Sequence, residues 1–315
     1  MAAAHSLALP LSPNLLAEIS GVSPARIRSD AILPLQDEAV LTAKLDLVQT
    51  RHPVIASAVM KVARDFHANV AETYAALTRG AIRLGRRQFI VGYEEFTYVC
   101  RRLEKSDEES ALATARAASE EDPKILAYIH NLAHVLRICG AENEASGVCE
   151  RAAKRLANLE AKAHQVRAFF YEWAAIEGRC GNPYISIWLA AISLSDMSPR
   201  TPAPSFQHIE LALGGIGGNM LTLTNESDAD FGRGVRAAET MIRGTELSTK
   251  AASFFARQRR YADLWKIDSI SKAECLDVLH DEITVAWSSR ERTLGELPGA
   301  ASLKFKGLRE ALNLT

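Results

Sequence analysis

The chain has 315 residues, and 48% of them are hydrophobic, which provides enough apolar surface for a folded core and a length typical of about two domains. Its 37 Lys and Arg residues and 38 Asp and Glu residues leave a net charge of -1. This balance excludes a whole-molecule attraction to nucleic acid or to anionic membrane, so any binding of that kind must be local.

The cysteine usage and the first residues indicate the cellular compartment. The five cysteines are an odd number and include no C-x-x-C pair, which argues against a disulfide framework and against a ribbon-type zinc site. The opening MAAAHSLALPLSP lacks a basic leading segment, and no run of ~18 apolar residues follows anywhere. We therefore expect a soluble, cytoplasmic protein with reduced thiols at Cys100, Cys139, Cys149, Cys180 and Cys275.

Residues 14–50 predict a small module that differs from the rest of the chain. NLLAEISGVSPARIRSDAILPL is typical of a short helix, a Gly-Val-Ser turn and a second helix, and AVLTAKLDLVQTR alternates as β-strands do. Helix, turn, helix and strands indicate a winged-helix-like module over residues 1–52. We expect His52 to help end the last strand and Pro53 to start the next helix, where its missing N–H costs nothing.

A winged-helix-like module also allows a DNA-binding alternative, in which the chain is a transcriptional regulator with a helical-repeat ligand or dimerisation domain. The helix around residues 25–31 would then enter the major groove, yet it offers only Arg26 and Arg28, with Asp30 nearby. Because DNA affinity usually depends on several phosphate contacts, nucleic acid is the less favoured partner.

Residues 93–196 carry a helical repeat. Leu, Ala, Tyr and Trp recur at steps of three and four, and the turn signals between them are short. A shift of 34 residues, the period of a helix hairpin, pairs Tyr98 with Leu132, Ala111 with Ala145, Ala115 with Cys149, and Ala118 with Ala152. Small side chains at these positions allow antiparallel helices to approach closely, and Gly140 is expected to make a turn.

The segment NLAHVLRICGAENEASGVCERAA, residues 131–153, has a Leu-Ala step, a Gly turn and spaced Ala residues, and Pro123 closes the stretch before it. In these positions the chain resembles the tetratricopeptide repeat (TPR) family. The resemblance covers residues 93–159 and continues more loosely into a third hairpin that contains Trp173, Ala174, Gly181, Ser186 and Ala190.

The TPR resemblance implies a mostly α protein. Its helical-hairpin solenoid would occupy residues 53–197, behind the winged-helix-like module, and residues 205–315 would form a C-terminal helical region of degenerate repeats or a cap. The proline-rich stretch at residues 195–205 is the expected boundary between the two.

In TPR arrays the first helix of each hairpin lines a concave groove. Carried onto this chain, the resemblance implies a partner-binding groove lined by Tyr93, Phe96, Cys100, Ala127, His130, His134, Arg137, Ala168, Tyr171 and Arg179. Aromatic, His and Arg groups of this kind can hold an extended or helical peptide by stacking, hydrogen bonding and carboxylate pairing. The alternative is that these are ordinary solvated or half-buried helix positions.

The stretch VQTRHPVIA, in which an Arg-His-Pro step leads from a strand into a helix, resembles the winged-helix region of STAND-type signalling ATPases, and the likeness covers residues 15–62. It implies a sensor arm that recognises a trigger protein and passes the event to an ATPase or effector subunit in bacterial signalling or defence. The phosphate-binding motif G-x-x-x-x-G-K-[ST] of such an ATPase does not occur in the sequence.

Catalysis is not expected. His130 and His134 lie four residues apart, as metal ligands on a helix do, but no Glu follows the first His and no third ligand is evident, so we predict no metal site. The sequence contains no G-x-S-x-G motif and no spacing typical of a catalytic triad. We therefore predict a non-catalytic scaffold without a cofactor, and an enzyme site between the repeats and the segment after residue 205 remains the alternative.

Overall fold

The computed structural model describes residues 1–182, apart from residues 8, 10, 45–46, 67–68 and 89–97, together with single positions between 185 and 219. The described chain is mostly α-helical, which confirms the mostly α character predicted from the sequence, and its sheet has two strands. The solenoid and the winged-helix-like module stay predictions. The chain divides into two compact units, Met1–Gly140 and Ala141–Thr315. The predicted domain boundaries at residues 52–53 and 197–205 stay predictions.

The first unit begins with two short helices, α1 (Ala2–Ser6) and α2 (Pro13–Ser20). The Ser12 side chain accepts a hydrogen bond from the Leu15 N–H and so caps α2, and Pro13 occupies the first turn, where it needs no hydrogen-bond acceptor. Gly21 ends α2 in the left-handed conformation, with φ of 67°, as the predicted Gly-Val-Ser turn requires.

A second helical stretch and a hairpin follow. The helical stretch consists of α3 (Pro24–Ile27), a π-type turn (Arg28–Ile32) and α4 (Leu33–Asp37). The hairpin consists of antiparallel strands β1 (Leu41–Lys44) and β2 (Leu47–Thr50), with Leu41 opposite Thr50. The paired strands confirm the strands predicted from the alternating pattern. Ile32 packs against Leu41 and Val48 of the hairpin.

His52 and Pro53 join the hairpin to α5 (Pro53–Asp65). His52 has an extended backbone, and its Nδ1 accepts the Val54 N–H at 3.2 Å, so the imidazole satisfies one of the unpaired N–H groups at the helix start. Pro53 is in the first turn, as predicted. The histidine therefore caps the helix that follows the strand.

The described residues of the first unit also form the helices α6 (Val70–Gln88), α7 (Val99–Leu103), α8 (Glu108–Glu121) and α9 (Leu126–Ile138). Four of the five alanines on α8 are at most 2% exposed, and two of these join a core with residues of the neighbouring helices. The core includes Leu77, Ala81, Cys100, Leu103, Ala111, Ala115 and Val135. Small side chains thus lie where helices pack closely, as the repeat predicted. Gly140 has φ of 73° and makes the expected turn.

The second unit begins with α10 (Glu142–Lys154), a short 3-10 turn (Leu156–Asn158) and α11 (Ala163–Arg179). Two contacts show that α10 and α11 are antiparallel. Glu142 lies 3.6 Å from Arg179, and Ser146 lies 2.6 Å from Glu177, so the residue number rises on one helix as it falls on the other.

The core of the second unit combines small residues from α10 with aromatic residues from α11. Ala145 and Cys149 are fully buried, as the sequence pattern predicted for close helix contacts. Phe169, Phe170 and Trp173 are also fully buried, with ring centroids 5.5 to 6.4 Å apart. Complete burial of each ring contributes about 1.5–3 kcal/mol, so this cluster is the main apolar anchor of α11.

Candidate functional site

Of the three predicted groove residues before α9, the structure describes only Cys100. Tyr93 and Phe96 lie outside the described residues. Cys100 is 1% exposed and packs in the core of the first unit, where burial raises the pKa of its thiol to about 11. The inward stripe of α7 consists of Val99, Cys100 and Leu103, so this cysteine contributes to packing instead of lining a groove.

Helix α9 carries four of the predicted residues on one face. Their spacing of three, four and three residues places them along a single side of a helix, and all are half-buried: Ala127, His130, His134 and Arg137. Leu126, Ile129, Ala133 and Leu136, each one residue earlier and about 100° around the helix, are at most 2% exposed and pack into the protein. The predicted residues keep partial exposure beside these buried positions, and we call them the accessible side of α9.

Two residues of the α7 segment meet this face. Glu104 directly follows α7, and its Oε2 lies 3.0 Å from His134 Nε2. Arg101 Nε donates to Asn131 Oδ1 at 3.0 Å, and Arg101 Nη1 lies 3.8 Å from Glu104 Oε2. The side chains of Glu104 and His134 are 16% and 13% exposed, so this polar network is largely shielded from water. Sequence reasoning missed Arg101 and Glu104, although their i, i+3 spacing was a signal for a charged pair.

The network extends along α9 to Arg137, whose Nη2 lies 3.2 Å from His134 Nδ1. Both ring nitrogens of His134 thus have a polar neighbour, a carboxylate on one side and a guanidinium on the other. The network includes the guanidinium groups of Arg101 and Arg137. A guanidinium pairs well with a carboxylate, including one on a bound molecule.

The remaining predicted groove residues belong to α11 in the second unit. Ala168 and Tyr171 are half-buried, and the Tyr171 ring meets the edge of the His208 ring at 5.8 Å. Burial lowers the pKa of His208, and its hydrogen bond to the Ser193 carbonyl acts in the opposite direction. The Arg179 side chain is 52% exposed and pairs with Glu142 at 3.6 Å.

A buried carboxylate in the second unit was not anticipated from the sequence. Glu177 is fully buried, and its Oε1 accepts hydrogen bonds from Ser146 Oγ at 2.6 Å and Trp173 Nε1 at 2.9 Å. Its Oε2 accepts from Asn182 Nδ2 at 2.8 Å. Neutral donors from α10, α11 and the following turn thus converge on one acid. This arrangement ties those segments together and leaves the carboxylate no direct access to solvent.

The residues named for the DNA-binding alternative lie on the second helical stretch of the first unit. Arg26 and Arg28 are exposed, and Arg26 Nε lies 3.0 Å from Asp30 Oδ2. Hydrogen bonds from Ser29 and then from Arg26 lower the pKa of Asp30. An acidic partner already offsets the charge of Arg26, which weakens its use as a phosphate contact.

Metal and thiol chemistry have little support in the described residues. Among the described residues, no group of three or more His, Cys, Asp or Glu side chains is placed to hold a metal ion. His130 and His134 therefore have no described third ligand beside them. Cys149 is fully buried, and desolvation raises its pKa well above the ordinary value. No described helix is both long and apolar enough to cross a lipid bilayer.

No protein-family model, curated protein or solved structure matches this chain. The residues on the accessible side of α9 and the network behind them therefore carry the functional proposal.

Proposed function

We propose that this chain is a non-catalytic protein-binding scaffold or sensor arm, built as a TPR-like solenoid behind a winged-helix-like module. A partner peptide binds along the α9 face, which consists of Ala127, His130, His134 and Arg137. The STAND-like segment makes an ATPase or effector subunit the proposed recipient of the binding event. A role in cytoplasmic signalling or defence follows from that likeness.

The direction and spacing of the helices support a repeat. Arg101 and Glu104 contact Asn131 and His134 in the same order, so α7 and α9 run in the same direction, as the first helices of successive hairpins do. Helices α8 and α10 begin at Glu108 and Glu142, which is the 34-residue shift found in the sequence. Helices α10 and α11 are antiparallel neighbours.

The accessible face of α9 is the observation that carries the proposal. Imidazole and guanidinium groups follow one another along it, and the buried residues of α9 hold the helix in place. A strip of this kind can donate hydrogen bonds, stack on rings and pair with carboxylates. A partner peptide with acidic side chains fits this chemistry.

The joint at His52 supports the link to a signalling assembly. His52 caps α5 directly after β2, so the hairpin passes into the helices without a flexible linker. Both segments belong to one compact unit. A rigid connection of this type suits an arm that transmits a binding event to another subunit.

A peptide selection tests the proposal. Peptides displayed as a random library are selected on the immobilised full chain, and their dissociation constants are measured by fluorescence anisotropy. We expect enrichment of Asp and Glu, and we expect Arg137→Ala to weaken binding on the order of tenfold, because it removes a charge-assisted hydrogen bond.

Lys124→Ala is the matched control, since it removes one exposed positive charge from the turn before α9. It should leave the affinity nearly unchanged. Selected peptides that bind Arg137→Ala as tightly as the unchanged chain would contradict the proposal.

A further inference from the structure

Glu104 is not on α9, yet it determines where the proton of His134 lies. A carboxylate accepts hydrogen bonds and donates none, and Glu104 Oε2 lies 3.0 Å from His134 Nε2. The hydrogen bond between them forms when Nε2 carries the proton. Neutral His134 is therefore held as the Nε2–H tautomer.

This tautomer leaves a lone pair on His134 Nδ1, which faces Arg137. Arg137 Nη2 lies 3.2 Å from Nδ1, and a guanidinium donates hydrogen bonds and accepts none. Hydrogen-bond donation then runs in one direction, from Arg137 to His134 and from His134 to Glu104. The other tautomer would set a ring N–H against the guanidinium and a ring lone pair against the carboxylate, which disfavours it at both nitrogens.

Arg101 contacts both Glu104 and α9. Its Nη1 lies 3.8 Å from Glu104 Oε2, and its Nε donates to Asn131 Oδ1 at 3.0 Å. Asn131 is 4% exposed, so it is a fixed acceptor on α9. The carboxylate of Glu104 is thus held between an arginine on its own segment and the imidazole of His134 on α9.

We infer that Glu104 is a positioning residue for the proposed binding face. It fixes the His134 tautomer, and His134 in turn orients the Arg137 guanidinium for a carboxylate of the partner peptide. Preorganisation of this kind raises affinity because less side-chain freedom is lost on binding. The inference rests on the proposed function, since the oriented group is the one that we assign to partner binding.

Two substitutions of Glu104 separate positioning from direct electrostatics. If Glu104 only repelled an acidic partner, both Glu104→Ala and Glu104→Gln would strengthen binding. Under the inference, Glu104→Ala weakens binding because Arg137 loses its orientation. Glu104→Gln retains an amide oxygen that accepts from His134 Nε2–H and removes the repulsion, so its binding equals or exceeds that of the unchanged chain.

The binding probe is a fluorescein-labelled hexaglutamate peptide, measured by anisotropy with the full chain at low salt. We expect Glu104→Ala to weaken binding on the order of tenfold, since the orientation of one charge-assisted contact is lost. In an Arg137→Ala background the same change should weaken binding no further. Glu160→Ala, which removes an exposed acid from the second unit, is the control. Tighter binding by Glu104→Ala would overturn the inference.

The tautomer of His134 is measured without any partner. Long-range proton–nitrogen correlation spectra of histidine-labelled protein, recorded near pH 8, report which ring nitrogen of neutral His134 carries the proton. His134→Gln identifies its signals. We expect only the Nε2–H form in the unchanged chain and in Glu104→Gln, and both forms in Glu104→Ala.

The two readouts fail separately. A proton on Nδ1, or a mixture of tautomers in the unchanged chain, would overturn the positioning role whatever the peptide does. If the tautomer is as expected but hexaglutamate does not bind, the acidic partner of the proposed function is contradicted, and the positioning of Arg137 stands.

Discussion

At the scale of single residues, Glu177 shows how a polar group is accommodated in the core of the second unit. Moving a carboxylate out of water is costly, and hydrogen bonds from Ser146, Trp173 and Asn182 offset that cost. Each donor comes from a different segment, so the acid also fixes their relative positions. Removal of the acid leaves buried donors without this acceptor.

We therefore expect Glu177→Leu to lower the free energy of unfolding by about 3 kcal/mol, and Glu177→Gln to lower it by about 1 kcal/mol, because the amide keeps one acceptor oxygen. Urea unfolding followed by tryptophan fluorescence measures both. The exposed Glu160→Ala should stay within about 0.5 kcal/mol of the unchanged chain. Equal stability of Glu177→Leu and the unchanged chain would remove the anchoring role.

Residue detail was also the part that the sequence predicted least well. Glu177 accepts a hydrogen bond from Ser146, which lies on another helix, and no local sequence pattern predicts such a pairing. A shift by 34 residues makes Cys100 equivalent to His134, and both were predicted to line the groove. In the structure, Cys100 packs with Val99 and Leu103 in the apolar core of the first unit. Burial in tertiary contacts decided its position, and Arg101 and Glu104 take the place at the α9 face.

At the scale of secondary structure, the sequence was a better guide. The strand alternation before His52, the glycine turns at Gly21 and Gly140, and the buried small residues of α8 and α10 all appear in the structure as predicted. These features follow from local periodicity and backbone sterics, which a sequence displays directly. The π-type turn between α3 and α4 has no such signal and was not predicted.

Alanine substitutions at two glycines, one on α10 and one on α11, distinguish the effect of close packing on stability from the effect of helix propensity. A Cβ on Gly178 of α11 would lie 3.0 Å from Asn219 Oδ1 and 3.3 Å from Ser186 Oγ. Asn219 has little freedom to move, because its Nδ2 donates to Ser186 Oγ at 2.9 Å and to the Gly215 carbonyl at 2.8 Å. A Cβ on Gly147 of α10 would meet only the flexible end of Arg151, at 3.3 Å.

We expect Gly147→Ala to stabilise the chain by up to about 1 kcal/mol, since alanine favours the helix. Gly178→Ala should instead destabilise it by about 1–2 kcal/mol, because the steric contact outweighs the same gain in propensity. Thermal unfolding should therefore show a higher melting temperature for Gly147→Ala and a lower one for Gly178→Ala than for the unchanged chain. Stabilisation by both changes would show that the Asn219 side chain does not pack against α11.

At the scale of the whole molecule, the central claim is that the accessible side of α9 receives a partner peptide. The claim joins the mostly helical fold, the parallel course of α7 and α9, and the network that runs from Arg101 to Arg137. It requires a bound peptide to lie along α9, close to His130. Lys124, in the turn before α9, should lie away from the bound peptide.

Site-specific photo-cross-linking tests this claim most directly. A benzoylphenylalanine replaces either His130 or Lys124 in the full chain, and each protein is irradiated with a peptide from the library selection. The account predicts that the cross-link forms from position 130 and not from position 124, with the attached peptide identified by mass spectrometry. Equal yields from both positions, or none from position 130 while the peptide still binds, would contradict it.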